Sequence, residues 1–590
     1  MHESRKIPVV IGITGHRNLV EEDKPTLKAR VIESLKEIQK HCKSKEKGGE
    51  DTPIVMLNGF AQGADMLCAE AAFELGIDVY AVLPCEKEKY IKSFDDENDK
   101  NKLEEYLSVA KRQFVAPDTE KNKAWIKKTA SIDNESYEYR QVGIYLAEHS
   151  HILIALWDGK PPKGEFGCGT VEVINFALEH KFLDKDKLFK PGMINDSAVV
   201  WIKSRRRGDG SQADIQKKWL VSNFAEDDGE RYGDYLVSDE LPAFLKDIIS
   251  KTVEYNAESV DASSQSVKLW ENVDELDEYR SELQRHYIKA NALSYDKNQK
   301  KYNRFIFWIA FIGTVVAGAF LIYDDASLPF MIFPCTVAIC ALIGLTVRGK
   351  RKFYHKKYID YRALSEALRI QFYMTMCLGG GASDNVCDLY AWSQKVDMVW
   401  VEKTIRSLSV IGRAEKIKAD ATRVIEAWIG DRENGQLKYQ RTKKEINRKK
   451  AKKYARLSAI LQIMTIAVYF LIFIFEVVAL IAGRLKFGWF WQGNIIAHVS
   501  WRNFGAIVLG VFTCGSLLFS SFWGKLSFER KADDNVKMSN FYASAYAKWK
   551  EVKEHHAEVE KFVKEIAREE LLENGVWYSY VSENKLELNI

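Results

Sequence analysis

Cysteine is sparse and unpatterned in this chain. Its nine cysteines include no C-x-x-C pair, and their number is odd. That argues against a disulfide framework or a structural zinc site and for reduced, buried thiols. An excess of charge of one sign is also lacking. Lys and Arg number 86 against 82 Asp and Glu, a formal net charge of +4, so nothing in the bulk composition points to nucleic acid as a partner. A secretory signal is not evident either. The apolar run near the amino terminus is short, broken by glycine and followed by charge, as expected of a buried strand and its loop. The front half is therefore expected to stay in the cytoplasm.

What the chain does have is length and an alternating pattern. At 590 residues it exceeds one ordinary domain, so several cores or a membrane region are expected. Ile7 to Ile13 is a near-continuous apolar run rich in β-branched residues, the mark of a strand covered on both faces. A helical pattern follows, with Leu27, Val31, Leu35 and Ile38 on one face. Further strands are expected at Ile54 to Leu57, Val79 to Leu83, Ile152 to Leu156 and Val199 to Ile202, with helices at Met66 to Leu75, at Tyr137 to Glu148 and from Thr170. Alternation of this kind specifies an α/β fold, a Rossmann-like doubly wound parallel sheet over residues 1–205. Residues 206–300 read as a polar, helical connector.

Four stretches of about twenty apolar residues follow, each long enough to cross a hydrocarbon core as a helix. They are Phe305 to Tyr323, Phe330 to Val347, Leu457 to Ala482 and Phe504 to Trp523. They predict an all-α, four-span module: one hairpin in 301–351, a cytoplasmic helical segment in 352–455, a second hairpin in 456–525, and a cytoplasmic helix in 526–590. Bases cluster before the first stretch, after the second, before the third and after the fourth. The positive-inside rule then puts both termini and the middle segment in the cytoplasm of a multi-pass protein of the inner (plasma) membrane. Lys-Lys-Tyr-x-Arg recurs before the first and third stretches, which suggests a duplicated hairpin. Glu476 is the only carboxylate inside a predicted span, and its position near one end suits an interface as well as a pore lining.

Ligands of open parallel sheets bind beyond the carboxyl ends of strands, where helix amino termini present free N–H groups. Three glycine-bearing loops occupy such positions: Gly12 to Asn18, Gly59 to Asp65 and Gly159 to Thr170. Candidate ligand contacts are Gly15, His16 and Arg17 in the first, and Gly59, Gln62, Gly63 and Asp65 in the second. Arg140, Asp158, Gly167, Gly169, Thr170 and Glu172 complete the set. No residue is assigned a catalytic or metal-binding role, and no cofactor is required.

The runs Ile13-Thr14-Gly15-His16-Arg17, Gly59-Phe60-Ala61-Gln62-Gly63-Ala64-Asp65 and Trp157-Asp158-Gly159 to Gly167-Cys168-Gly169-Thr170 resemble the SLOG superfamily. That group holds the LOG phosphoribohydrolases and the DNA-processing protein A family. The second run is similar to the Gly-Leu-Ala-x-Gly-Ile-Asp phosphate loop of the latter. Arg140 is similarly placed to the arginine that precedes the LOG motif Pro-Gly-Gly-x-Gly-Thr-x-x-Glu. The resemblance covers the first third of the chain and departs from LOG in two ways. Pro-Gly-Gly is missing, and the expected glutamate is replaced by Val173, with Glu172 one place early. On a helix that step turns the side chain by about 100°, which favours binding over N-glycosidic cleavage.

The membrane half resembles the SLATT-type modules fused to SLOG domains in bacterial anti-phage systems. The two resemblances together imply a nucleotide-sensing membrane effector. A nucleotide-derived ligand, NAD-derived or cyclic, would open or perturb the bilayer through a homo-oligomer. A membrane-anchored nucleotide-processing enzyme is the alternative.

Overall fold

A computed structural model describes residues 5–44, 49–119, 122–123, 134–161, 169–179, 196–222, 231–232, 235–260, 268–326, 336–341, 343–344, 354–379, 385–412, 419–432, 435–481, 491–496 and 499–583, with a few single positions between them. The first third builds the expected alternation. Strands β1 (Val9–Gly15), β2 (Ile54–Asn58), β3 (Asp78–Leu83), β4 (Arg112–Val115), β5 (Ile152–Trp157) and β6 (Ala198–Lys203) run parallel, in the spatial order β4-β3-β2-β1-β5-β6. The chain winds outward from β1 to β4, then crosses back to place β5 on the other side of β1. The β1/β5 boundary is therefore the point where winding reverses.

Both sheet faces are covered, which explains the unbroken apolar runs of β1 and β5. On one face Val9, Ile11 and Ile13 meet Leu27, Val31, Leu35 and Ile38 of α1 (Lys24–His41) together with α2 (Ala64–Glu74). Helices α3 (Lys87–Lys92) and α4 (Glu97–Val109) lie between β3 and β4. Helices α5 (Asn134–His149) and α6 (Thr170–Glu179) cover the other face, where Ile144 and Phe176 join Leu153 and Ala155.

The segment read as a helical connector begins instead as sheet. Strands β7 (Lys217–Ser222), β8 (Arg231–Tyr232) and β9 (Tyr235–Ser238) add antiparallel to β6, giving nine strands in all. These runs are short and interrupted by charge, so their periodicity was too weak to read against helix. Trp219, fully buried, is what anchors them. Helices α7 (Ala243–Ala257) and α8 (Glu278–Ala292) follow, and α8 passes through a π-helical stretch, Leu293–Gln299, into α9 (Lys300–Ala326).

The remainder is helical: α10 (Tyr354–Leu378), α11 (Trp392–Asp397), α12 (Val399–Ile411), α13 (Ala421–Trp428), α14 (Gln436–Ile481), α15 (Trp501–Leu526), α16 (Phe528–Val552) and α17 (His556–Glu583). The expected single carboxyl-terminal helix is thus two, α16 and α17. Residues from α7, α8, α10, α12, α13, α16 and α17 share one core with the outer face of the sheet, so the middle and end of the chain form one packed body with its front.

Among the described residues one helix, α14, is long and apolar enough to cross a membrane by length and composition, and its apolar window is not buried. The uncharged stretches Phe305–Tyr323 and Phe504–Trp523 lie within helices α9 and α15. Of Phe330–Val347, the described positions, among them 336–341, are helical, and the others fall outside the described residues. Glu476 of α14 meets Arg502 Nε at 2.6 Å.

Candidate functional site

The predicted residues gather at the carboxyl edge of the sheet, around the β1/β5 reversal. Two loops meet there at close range, and glycine is what lets them. A Cβ at Gly63, whose φ is +80°, would lie 2.1 Å from the Arg17 carbonyl oxygen, and one at Gly15 would lie 2.4 Å from Ala64 Cβ. The amides at the start of α2 are engaged within this contact: Ala64 N–H donates to the His16 carbonyl and Met66 N–H to that of Ala61. These glycines therefore serve the approach of loop to loop, and the α2 terminus is a partly satisfied rather than an open anion site.

At the reversal itself sit His16, from the end of β1, and Asp158, just past β5. His16 Nε2 lies 3.1 Å from the Asp158 backbone N–H and 3.1 Å from its Oδ1. Burial, then the charge of Arg206, lowers the imidazole pKa, and Asp158 only partly opposes them. At neutral pH the ring is therefore uncharged and accepts from the backbone N–H. Burial works against the Asp158 charge, but the Lys160 N–H, His16 and Arg206 outweigh it and hold the carboxyl below its usual range. Arg206 Nε reaches Asp158 Oδ2 at 2.8 Å and remains partly exposed.

Arg17 stands beside this pair with its guanidinium 4.7 Å above the Tyr139 ring. Asp65 faces it from the second loop. Its Oδ2 accepts from Ala61 N–H at 3.3 Å, and burial pushes its carboxyl up to about 7 despite that bond and the nearby Arg17. Gly59 closes on the same carboxylate, where an added Cβ would lie 3.0 Å from Oδ2. Gln62 turns the other way and donates to Asp99 of α4 at 2.9 Å.

Arg140 and Glu172 form an ion pair between α5 and α6, and Arg140 also covers the Phe176 ring at 4.7 Å. Glu138, two positions before Arg140, lies on the same helix and pairs with Lys89 at 2.6 Å. Burial raises the Glu172 pKa against the pull of Arg140. Its Oε2 is buried without a hydrogen-bond partner among the described residues. Thr170 opens α6 and is buried, whereas Gly169 has open space around it. Gly167 lies outside the described residues.

Arg206 is the contributor that the sequence reading missed. Its signal was the basic triplet after β6. Arg205 grips Asp23 through two 2.8 Å bonds, and Arg207 pairs with Glu21, which swings Arg206 toward His16 and Asp158. No group of His, Cys, Asp or Glu suited to a metal ion occurs among the described residues. A cleft of about 840 Å³ lies away from this edge, between α16 and α17.

The edge thus combines two arginines, a neutral imidazole and a carboxyl poised near neutrality, a set able to meet phosphate oxygens and sugar hydroxyls together. Searches found no family model and no curated protein that matches the chain.

Proposed function

We propose that the chain is a nucleotide-sensing membrane effector, a SLOG-like sensor joined to a SLATT-like module of four spans. The observation that carries the reading is the grouping of His16, Arg17, Asp65, Asp158 and Arg206 at the winding reversal, the position at which open α/β sheets take ligands. Arg17 and Arg206 would meet the phosphates of a nucleotide, NAD-derived or cyclic, and Asp65 a ribose hydroxyl.

A route from this edge to the helical body supports the sensing role. Helix α5 carries Arg140 near its start and Glu148 near its end, where Glu148 faces Arg406 of α12 at 4.0 Å. A ligand that favours one seating of α5 would bias the helices docked beyond it. The exposed apolar flanks of α9, α14 and α15, among them Phe311, Ile463 and Phe504, suit a bilayer better than water. Four spans per chain rarely enclose a pore alone, so the effector acts as a homo-oligomer of the inner membrane. Abortive infection in anti-phage defence is the output in keeping with the resemblance.

One observation favours the alternative of a nucleotide-processing enzyme: Asp65 and Glu172 both have raised pKa values, as general acids do. One experiment separates the two. The purified protein is placed in dye-loaded liposomes, a nucleotide panel is added, and dye release and nucleotide breakdown are followed together. Ligand-dependent leakage without turnover supports the effector. Turnover with intact liposomes overturns it and makes the membrane region an anchor.

A further inference from the structure

Helix α14 changes character along its length. From Gln436 to Arg456 it carries ten bases and a single acid, Glu445, and from Leu457 to Ile481 only Glu476 is ionisable apart from Tyr469. Several lysines of the sheet region meet carboxylates: Lys28 meets Glu74 at 2.5 Å, Lys111 meets Asp78 at 2.5 Å and Lys203 meets Asp214 at 2.8 Å. Exposed lysines there without an ion-pair partner among the described residues, such as Lys36, Lys40 and Lys92, are scattered rather than clustered. On α14, Arg448, Lys449, Lys452, Lys453 and Arg456 are all exposed, and none has an ion-pair partner among the described residues.

The opposite side of the helix explains why these bases face outward. Asn447 donates to Asn535 of α16 at 2.9 Å, Lys450 lies over the Phe528 ring at 5.4 Å, and Tyr454 stacks on Phe528 at 5.8 Å. The α16 contact takes Asn447, Lys450 and Tyr454 and leaves the five remaining cations from Arg448 to Arg456 on the side turned away from it. Arg448 to Arg456 spans about 12 Å of helix axis at 1.5 Å per residue. That is about one and a half Debye lengths at physiological salt, so bases near the apolar run lie within the range over which a surface potential acts.

We infer that this face of α14 binds the headgroups of anionic phospholipids in the membrane that the same helix enters. Two observations select that occupant. The unpaired cations run without a break into the apolar run, so the surface nearest to them is the boundary of that bilayer. Their charge, left uncompensated within the chain, complements a phosphodiester layer. The inference rests on the membrane reading of α14 and is independent of the nucleotide ligand.

The test uses the full chain reconstituted in vesicles of phosphatidylcholine with a minor share of phosphatidylglycerol, one lipid or the other carrying brominated acyl chains. Quenching of tryptophan fluorescence reports which lipid lies against the protein. Brominated phosphatidylglycerol should quench at several times lower mole fraction than brominated phosphatidylcholine. Raising salt toward 1 M should shrink that preference by about the screening expected for exposed charges. Joint Arg448→Gln, Lys449→Gln, Lys452→Gln and Lys453→Gln should abolish it, whereas Lys87→Gln with Lys92→Gln on α3 should leave it intact. The glutamine variant keeps helix-forming residues, and its circular dichroism and melting should match the parent. Equal quenching by the two lipids overturns the inference, as does binding of a DNA duplex that the glutamine variant loses while lipid preference is unchanged. Release of the chain by an alkaline carbonate wash overturns the membrane reading itself, a result distinct from either.

Discussion

At the amino edge of the sheet, Lys403 of α12 is buried against Asp196 at 3.4 Å, the Ser150 carbonyl at 2.9 Å and Ser197 Oγ at 2.7 Å. Arg406, one turn on, meets Glu402 at 3.0 Å and Asp388 at 3.2 Å. At the carboxyl edge Arg17 and Arg206 retain exposure, and Asp65 is buried without a bonded cation. Both edges hold the same residue types. One closes every charge against protein and serves as a docking joint. The other leaves Arg17 exposed, Arg206 partly exposed beside Asp158, and a buried carboxyl poised near neutrality.

That contrast predicts effects of different size and sign. The largest falls at the closed edge. Lys403→Met would strand Asp196 in a buried site and lower stability by about 3–5 kcal/mol, read from urea denaturation of the full chain in detergent. A loss near zero would mean that the joint is not closed. Next, Gly63→Ala forces a side chain into a positive-φ site against the Arg17 carbonyl and should cost about 3 kcal/mol.

Acid and base then separate the edges. Burial holds His151 neutral, with its pKa lowered from 6.5 to about 3, and its Nδ1 accepts from Val10 N–H at 3.0 Å. The unfolded chain takes up that proton first, so this stability is present above pH 6.5 and lost as pH falls through the interval. At about pH 4.5 His151→Gln should recover about 2.5 kcal/mol of the loss. Asp65 runs the other way, because its pKa is raised from 3.8 to about 7. The folded state keeps the proton longer, so stability is lost as pH rises through that window. Asp65→Asn should be about 2 kcal/mol more stable than the parent at about pH 8, with no difference below about pH 4. The smallest effect on stability belongs to Arg17→Ala, within about 0.5 kcal/mol in thermal melts, although ligand-dependent leakage should be lost. A large destabilisation there would recast Arg17 as a packing residue on Tyr139.

Much of this was legible from the residues. Continuous apolar runs pointed to five of the six parallel strands, all but β4, whose Arg-Gln-Phe-Val is neither apolar nor buried on both faces. Strand-to-loop junctions led to His16, Arg17, Asp65 and Asp158. Arg206 was not legible, because its role depends on Arg205 and Arg207 clamping a loop that lies far away in sequence. The strands of 217–238 were missed for a related reason. A short, charge-laced edge strand is stabilised by its neighbour rather than by its own periodicity.

The sequence by itself determined the α/β alternation, the buried face of α1, the apolar length of α14 and the density of bases before it. Those properties are local, set by side-chain spacing over a turn or a pleat. Only the tertiary structure decided that Arg140 pairs with Glu172, that Gly15 and Gly63 serve loop-to-loop contact, and that α12 closes the far edge of the sheet. Each of these depends on which distant segments are brought within a few ångströms, and pairing at that range is set by packing of the whole chain.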